Sequence, residues 1–208
     1  MTSHRTTLWT AAVVVAGLAF AAAAQESKTP PRTKTPLAPA TAPAAPQAMP
    51  PAPKPGPEQA VFSRDAGTWD AKVEMRMGPP GAPPEVSSAV ETNELIGGLW
   101  IVNDFKGTMG QQPFHGHGTF GYDTWKKKYV GVWVDTMATS PLYSEGTYDA
   151  ATNTLTMIGA AVGPDGKAMK LKQVVAWTGP NTKTFTMYMA GPDGKEFPGM
   201  VITYKRRS

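Results

Sequence analysis

The chain has 208 residues, no cysteine and a formal net charge of +4. The positive excess lies in the first 57 residues, so residues 58–208 carry equal numbers of acidic and basic side chains. A nucleic-acid-binding protein needs basic side chains clustered on one folded face. The densest cluster, Lys126 to Lys128, suits a solvated turn, and we predict no nucleic-acid partner. The lack of cysteine excludes disulfides, thiolate metal sites and a cysteine nucleophile.

The first 24 residues have the pattern of a signal peptide. A short polar start with His4 and Arg5 precedes an apolar run over residues 8–20, and three alanines at 22–24 suit cleavage after Ala24. The apolar run is too short to predict a stable membrane span in the mature protein, although an uncleaved N-terminal anchor is the alternative. We therefore expect a periplasmic or secreted protein.

Residues 25–57 are predicted to form a disordered linker rich in proline and alanine. This stretch holds eleven prolines, and proline disrupts both helices and sheets because it lacks a backbone donor. A folded domain is then expected over residues 58–208. It begins with a short helix at residues 58–65, whose apolar side chains would cap one end of a barrel.

From residue 67 onward, apolar side chains recur at every second position. Trp69, Val73 and Met75 fall on one face of residues 67–77, and charged residues fall on the other. This alternation is typical of an antiparallel strand that is buried on one side. Residues 78–84 form a loop rich in proline and glycine, and residues 86–95 and 99–106 are predicted as the next two strands, without assigned faces.

Residues 114–136 are predicted to form a β-hairpin. If Tyr122 lies opposite Tyr129, large side chains oppose glycines, which gives good cross-strand packing; the pairs are Phe120 with Gly131 and Trp133 with Gly118.

The same register divides the hairpin into two faces. Side chains alternate along a strand, so the aromatic residues share a face with Asp135, while His115 and His117 lie on the opposite face. We place the aromatic face inside the fold.

The later strands are separated by clear turn sequences. Gly-Pro-Asp-Gly-Lys occurs at residues 163–167 and again at 191–195, and Asn181 begins a third turn. The registers that follow are Met157 with Gln173, Gln173 with Met189, Met189 with Phe197, and Trp177 with Phe185. They predict one inward face that is apolar except at Gln173.

These elements make about ten antiparallel strands in sequence order. A ten-stranded meander has two exposed edges unless it closes on itself. We therefore predict an all-β fold, an up-and-down barrel of about ten strands with a short N-terminal helix. The interior of such a barrel is wide enough to hold a small ligand.

Three stretches resemble one bacterial family. They are Gly67-Thr68-Trp69, GYDTWKKKYVGVWVD at residues 121–135, and GTYDAATNTLTMIG at residues 146–159. Together they are similar to the family called domain of unknown function 1579, over about residues 67–206. The resemblance implies a lipocalin-like, calycin-type barrel without an established activity, so it supplies no catalytic residue.

The predicted interior offers a ligand-binding wall. Aromatic rings stack on flat apolar molecules, methionines adapt to irregular shapes, and a buried amide needs a partner. The candidate ligand-binding residues are Trp69, Tyr122, Trp133, Met157, Gln173, Met187 and Met189. The competing interpretation of the apolar members is ordinary barrel core.

Candidate chemistry is sparse. His115 and His117 share a face and suit zinc or copper, but a site needs a third ligand that the sequence does not place, so we expect surface histidines, no metal and no cofactor. Asp135 is the one candidate catalytic acid.

Three functions are compatible with this sequence. The first is an exported barrel that binds a small apolar or amphipathic molecule, which we predict over the others. The second is an isomerase or hydrolase of a hydrophobic substrate on a barrel scaffold. The third is an envelope structural or interaction module that works through its proline-rich tail.

Overall fold

The computed structural model describes residues 49–208 except residues 80, 163–165 and 192. The predicted signal peptide and residues 25–48 of the predicted linker lie outside the described residues. The described chain contains one short helix and ten strands: α1 Ala60–Ser63, β1 Gly67–Met75, β2 Glu85–Ile96, β3 Trp100–Met109, β4 Gln112–Asp123, β5 Lys128–Asp135, β6 Leu142–Asp149, β7 Thr154–Val162, β8 Ala168–Gly179, β9 Thr182–Ala190 and β10 Glu196–Arg206.

The ten strands form a closed antiparallel barrel. Each strand pairs with its neighbours in the sequence, and β1 pairs with β10 to close the sheet. Closure removes both exposed edges, which satisfies the backbone groups that an open meander would leave unpaired. The predicted fold class and its up-and-down topology are confirmed.

The hairpin of β4 and β5 has the predicted register. Tyr122 pairs with Tyr129, Phe120 with Gly131, and Gly118 with Trp133. The histidines of β4 are exposed, whereas the aromatic side chains of the same strand pack inside the barrel. The division of this hairpin into an aromatic inner face and a histidine-bearing outer face is confirmed.

Two of the registers predicted for the later strands are wrong. Met157 does pair with Gln173, but Gln173 pairs with Met187 instead of Met189, and Trp177 pairs with Lys183. The cause is a tight turn that pairs Gly179 with Thr182, after an irregularity next to Trp177. The predicted register of β9 is wrong by two residues. Because side chains alternate with a period of two, this shift leaves the same side chains of β9 facing inward as predicted.

A bulge in β10 changes which residues point inward. Phe197 pairs with Met189 as predicted, but the register then shifts between Pro198 and Met200. Proline cannot donate to a ladder, and such positions often become bulges. After the shift, Ile202 and other even-numbered residues are buried in the interior.

The helix closes one end of the barrel. Val61 and Phe62 are buried in a cluster with Ile101, Tyr129 and other inward side chains. The rings of Phe62 and Tyr129 meet edge to face at 5.6 Å. We call this the closed end, and the opposite end, bordered by the β5–β6 and β9–β10 connections, the open end. Within the described residues, no helix is long and apolar enough to cross a lipid bilayer.

Candidate functional site

The inner wall near the open end is incompletely covered. Trp133 on β5 and both Met187 and Met189 on β9 point into the barrel, yet each retains partial exposure. An inward side chain in a barrel packed solid would be fully buried. Solvent therefore reaches the inner wall beside these residues, and we call the volume that it reaches there the interior space.

Gln173 on β8 lies in the same wall. It pairs with Met157 on one side and Met187 on the other. Its side chain is 8% exposed, and among the described residues no group hydrogen-bonds to its amide. The amide is not sealed in protein either, because the one fully enclosed and unpartnered polar atom of the described chain belongs to Asn103. The Gln173 amide thus faces the interior space.

Asp135 fixes the orientation of the Trp133 indole. The indole Nε1 donates to Asp135 Oδ2 at 2.8 Å, and the backbone N–H of Met137 donates to Asp135 Oδ1 at 2.8 Å. Both carboxylate oxygens therefore have structural partners. This arrangement gives Asp135 a positioning role for the Trp133 indole.

Glycines make room for the Trp133 ring. A Cβ atom on Gly116 would lie 2.1 Å from the ring, and one on Gly118 would lie 2.8 Å from it. The ring therefore lies flat against the β4 backbone.

Three other candidate wall residues lie in the core. Trp69 is 0% exposed, and its Nε1 donates to the backbone carbonyl of Asp65 at 2.9 Å. Met157 is buried in the cluster beneath the helix, and Tyr122 packs against Tyr129 with ring centroids 5.1 Å apart. Of the three, Met157 lies next to Gln173, because the two residues are cross-strand partners.

A network of ionised side chains lies inside the closed end. Lys183 Nζ is 2.9 Å from Glu91 Oε1 and 3.1 Å from Asp65 Oδ2. Tyr204 donates its hydroxyl to Glu91 Oε2 at 2.9 Å, and Trp177 Nε1 donates to Asp65 Oδ1 at 2.8 Å. We call Asp65, Glu91, Lys183 and Tyr204 the closed-end network.

Burial and charge act in opposite directions within this network. Burial disfavours the Lys183 ammonium, but the carboxylates of Glu91 and Asp65 outweigh it and raise the pKa of Lys183 above its usual value. Burial, reinforced by Glu91, raises the pKa of the Tyr204 hydroxyl well above its usual value. The network therefore keeps a charged lysine and a neutral tyrosine at physiological pH.

Two asparagines extend the network toward the barrel wall. Asn93 Nδ2 donates to Glu91 Oε1 at 2.8 Å, and Asn103 Nδ2 donates to Asn93 Oδ1. Asn103 Oδ1 is enclosed without a donor. Asn103 pairs with Gly118, and Gly118 pairs with Trp133. The unpaired Asn103 Oδ1 therefore belongs to the same row of cross-strand neighbours as Trp133.

The sequence analysis missed these interior polar residues. Polar residues on a strand are expected to face solvent, and we assigned no faces to the strands that carry Glu91, Asn93 and Asn103. Lys183 was placed in a turn. Extending the alternation of Phe185 and Met187 backward by one step would have put Lys183 on the inner face.

The two histidines of β4 lie outside the barrel. Their side chains are 51% and 52% exposed for His115 and His117, and both approach Asp104 on β3. The Lys106 ammonium, which donates to Asp104, and the His115 imidazole hold the pKa of the Asp104 carboxyl below its usual value. A shallow groove of about 690 Å³ lies on the outer face of β10, β1, β2 and β3, and five of its eleven bordering residues are charged.

Comparisons with known proteins agree with the fold. A structure of Rv2717c from M. tuberculosis matches with a TM-score of 0.54 and 10% identity, covering 74% of this chain and 99% of that chain. The S-type phycobiliprotein lyase CPES from Guillardia theta matches with a TM-score of 0.49 and 11% identity, covering 74% of this chain and 99% of that chain. At 10% identity the likeness to Rv2717c concerns the fold alone, and the match to CPES, with a TM-score under 0.5, carries no argument.

The family assignment comes from the sequence match. No curated protein matches the chain. The family model described as "Protein of unknown function (DUF1579)" matches residues 54–206, which include the helix and all ten strands of the barrel. The chain therefore belongs to the DUF1579 family.

Proposed function

We propose that this protein is an exported barrel that binds a small apolar or amphipathic molecule in the open-end half of its interior. Trp133, Met187 and Met189 supply the apolar wall, and Gln173 supplies the polar contact. The observation that carries the proposal is the Gln173 amide, which faces accessible space without a protein partner. Because the amide retains accessible area and has no protein partner, it is free to hydrogen-bond to a bound molecule, and such a bond contributes about 0.5–1.5 kcal/mol.

The wall chemistry defines the class of ligand. Indole and thioether groups make favourable contacts with flat or irregular apolar bodies, and methionines adjust their rotamers to different shapes. One amide provides a donor and an acceptor at one point of the wall. The proposed ligand therefore has an apolar body and at least one hydrogen-bonding group.

The binding test uses a fluorescent naphthalene-sulfonate dye and native mass spectrometry on the full chain. Met187→Trp fills the space beside Gln173 and is expected to weaken dye binding by at least about 10-fold, equivalent to about 1.4 kcal/mol. Ile158→Trp is the matched control, because Ile158 is 38% exposed on the outer face of β7. A barrel that binds neither dye nor a copurifying molecule, or equal binding by both variants, would overturn the proposal.

Gln173→Leu separates a binding role from a structural one. Loss of the amide should weaken binding of a hydrogen-bonding ligand by roughly 3- to 10-fold, because a hydrogen bond contributes about 0.5–1.5 kcal/mol. The same change should leave stability unchanged or raise it, since the amide has no protein partner. Gln112→Leu, at an exposed position of β4, is the control. A large loss of stability in Gln173→Leu would assign Gln173 to the core.

The export part of the proposal rests on residues 1–24. Their basic start, apolar run and terminal alanines suit removal after Ala24. N-terminal sequencing of the protein recovered from its native host, outside the cytoplasm, should begin at Gln25. Recovery of the intact N-terminus from the cytoplasmic fraction would contradict export.

A further inference from the structure

The outer face of β3 and β4 brings together three groups that suit a metal ion. In this antiparallel pair, Asp104 lies directly opposite His117, and Lys106 lies opposite His115. Side chains two residues apart on a strand share a face. The pairing therefore places one carboxylate beside two imidazoles, and it supplies the third ligand that the sequence alone did not locate.

The distances are compatible with shared coordination. His115 Nε2 is 2.5 Å from Asp104 Oδ1, and His117 Nδ1 is 3.9 Å from the same oxygen. One donor atom from each of the three residues can be chosen so that all lie within 4.8 Å of one another. Among the described residues, no other three histidine or acidic side chains bring their ligand atoms this close together.

We propose that Asp104, His115 and His117 form a surface site for a divalent transition-metal cation such as Zn²⁺. Two imidazole nitrogens and one carboxylate oxygen are a common ligand set for zinc, and a fourth position remains for water. This site lies on the outside of the wall whose inner side carries Trp133. It is therefore separate from the proposed interior ligand site.

Small side-chain movements would complete the geometry. Zinc bonds of about 2.0–2.2 Å in a tetrahedron place the donor atoms roughly 3.3 Å apart. The histidine side chains are about half exposed, and that of Asp104 is 31% exposed, so they have room to rotate. The backbone beneath them is held firmly, because Gly116 between the histidines packs against the Trp133 ring.

Lys106 affects this site in two ways. Its Nζ is 2.5 Å from Asp104 Oδ2, which orients the carboxylate and leaves Oδ1 toward the histidines. A hydrogen bond from outside the ligand set is a usual way of fixing a metal-binding carboxylate. Its positive charge opposes a second cation nearby, but the side chain is 62% exposed, so solvent screens this repulsion.

The test is titration of Zn²⁺ into the metal-stripped full chain, purified without a histidine tag and followed by calorimetry. We expect one Zn²⁺ per chain, with affinity lowered by at least about 100-fold in His117→Asn and in Asp104→Asn, since loss of an outer-shell partner alone costs about 10–100-fold. Zn²⁺ should also raise the melting temperature of the wild type and not of these variants.

Two control variants match the test variants. Asp70→Asn and Glu145→Gln each remove an ion-paired acid elsewhere on the outer face. Both should bind Zn²⁺ like the wild type. Absence of saturable Zn²⁺ binding, unchanged affinity in Asp104→Asn, or loss of binding in either control would overturn the proposed site. Far-ultraviolet circular dichroism checks that each variant is folded.

Discussion

Lys183→Met tests the closed-end network most directly. The variant keeps the length and apolar stem of the side chain but removes the ammonium that lies 2.9 Å from Glu91 and 3.1 Å from Asp65. Lys183 is 3% exposed, so little water can replace it. Removing one partner of a buried ion pair costs about 3–5 kcal/mol, because the remaining charge stays buried. Such a loss is a large part of the roughly 5–15 kcal/mol that stabilises a typical domain.

Thermal and urea unfolding measure this loss. For a domain of this size, 1 kcal/mol corresponds to about 2–4 °C, so Lys183→Met should lower the melting temperature by about 6–20 °C. In the wild type, the raised pKa of Lys183 means that its contribution is complete at neutral pH and is lost only as pH rises through that elevated value.

The matched control is Lys126→Met. Lys126 also pairs with one carboxylate, that of Glu145, but both side chains are exposed. Exposed ion pairs contribute little to stability, so the melting temperature of this variant should equal that of the wild type. A Lys183→Met variant that unfolds within about 1 kcal/mol of the wild type at about pH 8 would refute the reasoning, since it would show that the buried carboxylates do not need the ammonium.

Three further outcomes follow from other contacts. Gly116→Ala should lower the free energy of unfolding by about 1–3 kcal/mol and change the fluorescence of Trp133, because the added methyl group would lie 2.1 Å from the indole ring. Trp177→Phe should lower the free energy of unfolding in urea by about 1.5–3 kcal/mol, because it removes the hydrogen bond that the indole donates to the Asp65 carboxylate. Burial raises the pKa of Tyr129 to about 12, so stability should fall as pH rises above the tyrosine's usual value toward 12, and less steeply in Tyr129→Phe. An alkaline unfolding profile that is the same in both proteins would contradict this assignment.

The hairpin of β4 and β5 was predictable because local evidence was sufficient. A short turn at residues 124–127 and the pairing of Phe120 and Trp133 with glycines defined one register, which the structure has. The faces then followed from alternation alone. This is why the exposed position of the histidines could be predicted.

The errors arose where the ladder departs from regular pairing. The irregularity beside Trp177 and the bulge at Pro198 each insert residues that strict alternation cannot anticipate. A proline inside an apparent strand is the signal for the second of these. The shift it causes brings Ile202 inside, where strict alternation would have placed Val201.

The candidate sites depended on contacts between strands that are remote in sequence. Lys183 meets Glu91 across 92 residues, and no local pattern reports such a contact. Asp104 and His117 are nearer in the chain, but without faces for β3 their approach could not be inferred. In a barrel, the contacts between inward polar side chains depend on the pairing of strands that are distant in sequence. These contacts can be predicted only when the register of every strand pair is known.

The flat packing of Trp133 over the β4 glycines has a consequence for the design of selectivity. Each ring that lies against a glycine occupies volume that a Cβ atom would otherwise take, as Phe120 also does over Gly131. Enlarging one of these glycines would tilt its ring toward the barrel axis by an amount set by the size of the new side chain. A graded series from Gly to Ala to Ser at residue 116 would therefore narrow the lumen in steps, without any change to the residues that contact the ligand.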